Sequence, residues 1–324
     1  MEEPKEFENR TDLAEIKGKI DQLREGIGKV IVGQSEMVEQ LIICLLADGH
    51  ALLEGVPGIA KTLSAKTMAG MIKAKFGRVQ FTPDLMPSDV LGTSIYNLKK
   101  NDFEFKAGPI FTEVLLIDEI NRAPAKTQAA LFEVMEERQV TVDGTTHQMA
   151  NLFFALATQN PIEQEGTYRL PEAQLDRFLF KIVVDYPNLD EEIDILNYHN
   201  SPSQQAEEVA PVLDIDEIVR LRETVKKIVV EDKLIKYIAE IIQNTRKSAD
   251  LYLGASPRAS IAILNTAKVK AVIAGRDFVI PEDIQYVAVP AMRHRVILSP
   301  EREMEGMTTD EIVASVINQV EVPR

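Results

Sequence analysis

The sequence predicts an α/β fold: a three-layer αβα domain on a five-stranded, largely parallel sheet, followed by an all-helical domain. Five short apolar runs, many of them β-branched, carry the first half of that reading: Ala51–Leu53, Arg78–Phe81, Val114–Ile117, Leu152–Ala157 and Phe180–Val184. Helix-compatible stretches separate them, as buried parallel strands require. After Tyr186-Pro187 the apolar residues change to helical spacing, at Ile215, Ile218, Val219 and Val225, then Ile238, Ile241 and Ile242, then Ile312, Val313, Val316 and Ile317. A glycine-bearing loop, Gly55–Thr62, joins the first run to a helix-compatible stretch, and that order of strand, loop and helix is the setting of a P-loop.

Before the sheet, Leu13, Ile16, Ile20, Leu23 and Ile27 alternate steps of three and four, one stripe of an amphipathic helix, and a second helix is expected over Ser35–Ala47. Two stretches interrupt the strand–helix alternation. Residues 85–112 alternate in polarity around the turn candidate Lys99-Lys100-Asn101-Asp102, and residues 138–150 place Asp143-Gly144 between two short alternating runs, a hairpin signal. Residues 200–210, rich in Ser, Gln and Glu, read as a loop. The expected division is a sheet domain over 1–188 and a helical domain over 189–324.

Composition narrows the function classes. The chain has 324 residues, 45% hydrophobic and 27% charged, the balance of a soluble globular protein of roughly two domains. Its longest apolar run, Leu41–Ala47, is too short to span a bilayer, and the charged Met1–Arg10 does not resemble a signal peptide. A single cysteine, Cys44, excludes an internal disulfide and a cysteine zinc cluster, and the four scattered histidines offer no metal spacing. A reducing, cytoplasmic location follows as the expectation. The net charge of −15 opposes a polyanionic partner at long range, so nucleic acid is disfavoured.

The chemistry concentrates in two motifs. In Gly55-Val56-Pro57-Gly58-Ile59-Ala60-Lys61-Thr62, backbone amides ahead of a helix would cradle the phosphates of ATP. Lys61 would reach the β- and γ-phosphates, and the Thr62 hydroxyl would ligate Mg²⁺. Ala60 stands where the usual loop has glycine; a residue entering a helix is expected at negative φ, leaving Gly58 as the position of special backbone geometry. Val114-Leu115-Leu116-Ile117-Asp118-Glu119 describes a buried strand delivering two carboxylates to a sheet edge, costly unless a cation or hydrogen bonds compensate. Asp118 would hold Mg²⁺ and Glu119 would activate the attacking water.

Together with residues 55–62, the strings LLIDEINRAP (115–124), ATQNP (157–161), LPEAQLDRF (170–178) and GASPRAS (254–260) closely resemble the MoxR family of AAA+ ATPases. The resemblance runs in order from Ile31 to at least Arg258. It implies that Asn160 is the first sensor, holding the lytic water, where the residues alone allow a plain Asn-Pro turn. It implies that Arg177 is an arginine finger reaching a neighbouring subunit's γ-phosphate, with Arg169 an alternative. An internal ion pair of Arg177 with Asp176 or Glu172 is the structural alternative. Arg258 follows Ser256, a candidate N-cap, and Pro257; a cation in a helix's first turn is disfavoured by the macrodipole, which suggests a nearby anion. The resemblance makes it the second sensor, facing the nucleotide. Ile31, Val32 and Gly33 resemble the segment that encloses adenine, though a helix–helix turn would read the same way.

The resemblance further implies an insert at about 85–108 and a pre-sensor hairpin at about 138–150, both facing a pore or partner. It implies ATP and Mg²⁺ as cofactors and a homo-oligomeric, hexameric ring. It also implies a separate partner bearing a von Willebrand factor A domain. Hydrolysis would change the angle between the sheet and helical domains, in a chaperone-like ATPase that remodels or matures protein complexes. Two other classes stay open at this level. A nucleic-acid motor is opposed by charge and by the lack of a basic, aromatic-rich segment. A binding scaffold switched by ATP occupancy would need neither Glu119 nor Arg177.

Overall fold

The computed structural model describes residues 13–56, 58, 60–161, 167–168, 170–200 and 210–323. Its elements begin with α1 (Ala14–Val30), α2 (Ser35–Leu46), β1 (Ala51–Gly55), α3 (Lys61–Met71), β2 (Phe76–Gln80) and α4 (Pro87–Leu91). The hairpin β3 (Gly92–Asn97) and β4 (Asp102–Ala107) follows, then β5 (Val114–Asp118), α5 (Ala125–Glu137) and the hairpin β6 (Gln139–Val142) and β7 (Thr145–Gln148). After β8 (Phe154–Gln159), α6 (Glu172–Leu175), β9 (Phe180–Val184) and α7 (Leu189–Asn200), the rest is almost wholly helical. It comprises α8 (Ile215–Lys226), α9 (Asp232–Lys247), β10 (Leu251–Leu253), α10 (Pro257–Ile273), α11 (Pro281–Met292), β11 (Ile297–Leu298), α12 (Pro300–Met304) and α13 (Thr309–Asn318).

The five strands expected from the apolar runs form one sheet, ordered β2-β5-β8-β1-β9 and parallel throughout. The apolar character of the central strands β1, β5 and β8 has a direct cause, because alternate residues pack on opposite faces, while the outer β2 and β9 carry Arg78, Gln80 and Lys181. Ala51, Leu53, Val114, Leu116, Phe154 and Leu156 join one buried cluster, while Leu52, Leu115, Ile117, Ala155 and Ala157 join the other. Both predicted hairpins form. Asp143 and Gly144 sit at φ 48° and 79°, the paired positive values that a tight two-residue hairpin turn demands and that this dipeptide tolerates.

The change to helical structure near residue 188 is not a break in the core. The first cluster runs from Ile20 and Leu41 through Phe180 and Ile182 to Ile218, Ile263, Ile284 and Ile317. The sheet and the C-terminal helices therefore exclude water together, which opposes the expected change of angle between them. Cys44, fully buried in α2, belongs to this core, and burial raises its thiol pKa, as expected of a packing residue. Among the described residues, no helix is long and apolar enough to cross a membrane. The expected loop over 200–210 falls almost wholly outside them.

Two buried histidines clasp this architecture. His50, just before β1, accepts from the Ala155 amide through Nδ1 at 3.0 Å and lies 3.2 Å from the Met135 carbonyl through Nε2. Burial, with Arg138 nearby, pushes it down to about 3. His294, 3.0 Å from the Phe178 carbonyl, is lowered in the same way by burial and Arg295. Both are neutral when folded, whereas the unfolded chain binds these protons near the usual pH of about 6.5. Stability is therefore lost as pH falls below that value, by up to about 1.4 kcal/mol per pH unit for each histidine. Thermal unfolding followed by circular dichroism should show Tm dropping between pH 7 and 5, with a flatter profile in His50→Gln.

Candidate functional site

β1 ends at Gly55 and α3 begins at Lys61, so the loop between them stands at the carboxyl edge of the parallel sheet. That edge is where open α/β sheets take ligands. A cavity of about 380 Å³ opens there, lined by Gly58, Ala60, Lys61, Thr62, Arg78, Gln80, Asp118, Glu119, Thr158 and Asn160 among others. The predicted residues Lys61, Thr62, Asp118, Glu119 and Asn160 are thus brought together, from two strand ends and one helix start. Pro57 and Ile59 lie outside the described residues.

The loop corrects one expectation. Gly58 has φ 91°, but Ala60 is also left-handed, at φ 55° and ψ 15°. It sits ahead of the helix and not within it, which is why the usual pattern has glycine here. Lys61 donates from Nζ to the Gly55 carbonyl at 2.6 Å, holding the loop closed. Burial lowers its pKa, while Asp118, Glu119 and Glu54 oppose the shift.

The carboxylates are already engaged. Asp118 Oδ2 accepts from Arg78 Nε at 2.7 Å, and Oδ1 accepts from the Thr158 hydroxyl at 3.3 Å. The Glu119 amide donates to the same hydroxyl at 2.9 Å, and Glu119 itself is left-handed at φ 57°. Its Oε2 accepts from Gln80 Nε2 at 2.7 Å and pairs with Arg122 Nε at 3.2 Å. Arg78, Gln80 and Thr158 were not among the predicted site residues. The first two stand two apart on β2, opposite Leu116 and Asp118, so polar alternation at a strand's carboxyl end was the available signal. Thr62 and Asp118 line one cavity and offer the hard oxygen donors that Mg²⁺ takes, with phosphate and water filling its other positions. A guanidinium already seated on Asp118 shows that the position favours positive charge.

Ile31 and Val32 line an adjoining, mostly apolar cavity of about 430 Å³ with Leu63, Tyr186, Ile195 and Tyr198, which also went unpredicted. It shares Gly58 and Ala60 with the first cavity, so a nucleotide could run continuously from base to phosphates. Gly33 is instead part of a neighbouring polar recess, at φ 77°, where a Cβ would stand 2.7 Å from the Glu191 side chain. Close packing on α7, and not contact with a base, explains that glycine.

Arg177 and Arg258 lie elsewhere. Arg177 precedes β9, whose Phe180 is in register with Ala51 at the start of β1, so it stands at the amino edge of the sheet. One strand length, about 15 Å, separates that edge from the phosphate cavity. Arg177 and Arg258 together line a second cavity with Asp48, His50, Glu136, Arg138 and Asp176. Arg258 therefore does not face its own chain's P-loop, contrary to expectation, because the start of α10 is held to Asp176 and Glu136, through Ser256 and Arg258. Arg177 donates to the Phe132 carbonyl at 2.9 Å and pairs with Glu136, not with Asp176 or Glu172. Asp176 is taken by the buried Arg295, at 2.6 Å. Ser256 occupies the N-cap position, but its hydroxyl donates to Asp176 at 3.3 Å and does not cap the helix. Arg169 is outside the described residues.

Since a left-handed backbone excludes β-branched residues, Ala60→Val should weaken nucleotide affinity by at least about tenfold while Ala60→Gly keeps it. Titration with a fluorescent ATP analogue distinguishes the two, and tolerance of valine would show that the loop conformation is not needed for binding.

Comparison with known proteins agrees with this geometry. Residues 50–180 match the model of the ATPase family associated with various cellular activities (AAA), and residues 243–316 match the AAA lid domain. The chain is 48% identical to the uncharacterized protein YeaC of Bacillus subtilis, covering 92% of this chain and 93% of that one. It is 42% identical to chaperone MoxR1 of Mycobacterium tuberculosis, covering 92% and 81%. A solved structure from Cytophaga hutchinsonii, described as that of a candidate ATPase, superposes with a TM-score of 0.89 at 42% identity over 97% of each chain. With the P-loop, the paired carboxylates and the helical lid in one chain, this protein belongs to the MoxR family of AAA+ ATPases.

Proposed function

We propose that this chain is a Mg²⁺-dependent ATPase that works as a ring, in which each active site is completed by the next subunit. The observation that carries the reading is the separation of Lys61, Thr62, Asp118, Glu119 and Asn160 at one edge of the sheet from Arg177 and Arg258 at the other. Neither arginine can serve its own chain's phosphates, whereas head-to-tail stacking would bring the amino edge of one subunit onto the carboxyl edge of its neighbour. Six subunits would close the ring. A metal ion held by Thr62 and Asp118 would neutralise charge on the phosphates.

Within the site, the loop amides and Lys61 bind the triphosphate, and Tyr186, Tyr198, Ile31 and Val32 enclose the base. Glu119 orients and deprotonates the attacking water once released from Gln80 and Arg122, and Asn160 holds that water in line. Arg177 and Arg258 from the neighbour would meet the charge that develops on the transferring phosphoryl group. Because sheet and lid share one core, the motion driven by turnover is assigned to the boundary between subunits.

The work done is remodelling or maturation of protein complexes, in the cytoplasm, with a separate partner bearing a von Willebrand factor A domain. Exposed apolar side chains on β3–β4 support a protein client: Leu98 is 86% and Phe103 69% exposed, beside Ile95 and Tyr96. A surface of this kind grips polypeptide, and its lysines Lys99, Lys100 and Lys106 are largely offset by Asp102 and Glu104, so it lacks the strong positive charge that tracks a nucleic-acid strand.

Glu119→Gln should bind ATP nearly as well as wild type yet turn it over at least about a hundredfold more slowly. Equal turnover would remove Glu119 from the chemistry. Arg177→Ala should also be inactive while isolated subunits keep their ATP affinity. Mixing the two inactive proteins should restore part of the activity, since a Glu119→Gln subunit supplies the arginine that an Arg177→Ala site lacks. Mixed rings that stay inactive would mean that Arg177 acts within its own chain.

A further inference from the structure

The last turn of α5 carries Glu136 and Glu137 and no basic residue, a charge placement that the helix macrodipole disfavours. Helix stability therefore does not account for Glu136. Its two carboxylate oxygens are each used: Oε2 pairs with Arg177 Nη1, and Oε1 accepts from Arg258 Nη2 at 2.9 Å. The two guanidiniums come from different parts of the chain, the turn before β9 and the first turn of α10, and they converge on this one anion. Arg177 retains a further donor, since its Nε is buried without a hydrogen-bond partner. Two arginines gathered on one carboxylate, with a donor to spare, form a receptor for an anion bearing more oxygens than a carboxylate has.

We propose that Glu136 is a placeholder for the neighbouring subunit's terminal phosphate. It keeps Arg177 and Arg258 converged in the lone chain and is exchanged for phosphoryl oxygens when a triphosphate-loaded neighbour docks. The inference rests on the reading that both arginines act on a second copy of this chain. It adds that assembly must displace an internal competitor, so that a docking subunit carrying ADP, with no terminal phosphate, does not displace it. These pairs are partly exposed and individually weak, which suits a contact that has to exchange.

The test is assembly measured by sedimentation velocity in a Glu119→Gln background, which retains triphosphate. Adding Glu136→Gln should lower the concentration at which rings form with ATP by about threefold to tenfold. It should have little effect with ADP and none once Arg177 and Arg258 are both alanine. Glu137→Gln, one residue away, serves as the control and should change nothing. An unchanged or raised midpoint with ATP, an equal shift with ADP, or a shift that survives loss of both arginines would each overturn the proposal. Glu136→Ala is the second variant, and if neither variant folds, Glu136 is a structural clasp and the proposal falls. Rescue in the mixing experiment without a midpoint shift removes only Glu136. Absence of rescue removes the reading beneath it.

Discussion

The common direction of the five sheet strands is the constraint from which the rest of the molecule follows. With every strand parallel, all carboxyl ends share one edge and all amino ends the other. Gly55, Gln80, Asp118 and Gln159 close their strands at the first edge, where the P-loop amides and paired carboxylates gather. The chain can return to start the next strand only through a crossover that delivers it to the opposite edge. Asp48, His50, Arg138 and Arg177 lie on those returns, so one subunit carries two chemically opposite faces a strand length apart.

The amino edge is organised by a buried cation. Arg295 donates from Nε to the Asp176 carboxylate at 2.6 Å, and its other nitrogens reach the carbonyls of Asp176, Phe178 and Leu179, besides that of Ala291. Burial lowers its pKa while Asp176 opposes the shift, and a charge so placed is tolerable only because it is fully hydrogen-bonded. Arg295 follows α11, whereas Asp176–Leu179 leads into β9. The turn that aims Arg177 is therefore set by the helical part of the chain, and the continuous apolar core prevents the two from drifting apart.

At the carboxyl edge the opposite situation prevails, because three acidic groups each have a local cation: Arg78 for Asp118, Arg122 for Glu119 and Lys181 for Glu54. A chain of net charge −15 thereby keeps a site hospitable to a polyanion. Lys61 on the Gly55 carbonyl and Glu119 on Gln80 and Arg122 must exchange these partners when a triphosphate binds, so the neutralising contacts are provisional. The left-handed residues Ala60 and Glu119 line the same cavity, where local strain is worth keeping if it aims an amide or a carboxylate.

The amino-acid sequence by itself determined the elements and the half of the site that is local in the chain. The central runs became strands because burial on both faces leaves little polar alternation, while the outer β2 and β9 alternate, and Asp143-Gly144 became a turn because two successive positive φ values favour that pair. Gly55–Thr62 and Asp118-Glu119 were legible because a phosphate cradle and a strand-end carboxylate pair are each built from consecutive residues. What the tertiary structure alone decided is everything that depends on two distant segments meeting. Arg78 and Gln80 entered the site through strand register, and Tyr186 and Tyr198 through the path from β9 into α7. The internal ion pair weighed as the alternative role for Arg177 formed with Glu136, some forty residues earlier, and not with Asp176 or Glu172. Arg258 moved from its own nucleotide to the far edge, because where a helical domain docks is set by the summed packing of many apolar side chains, and no short motif encodes that sum.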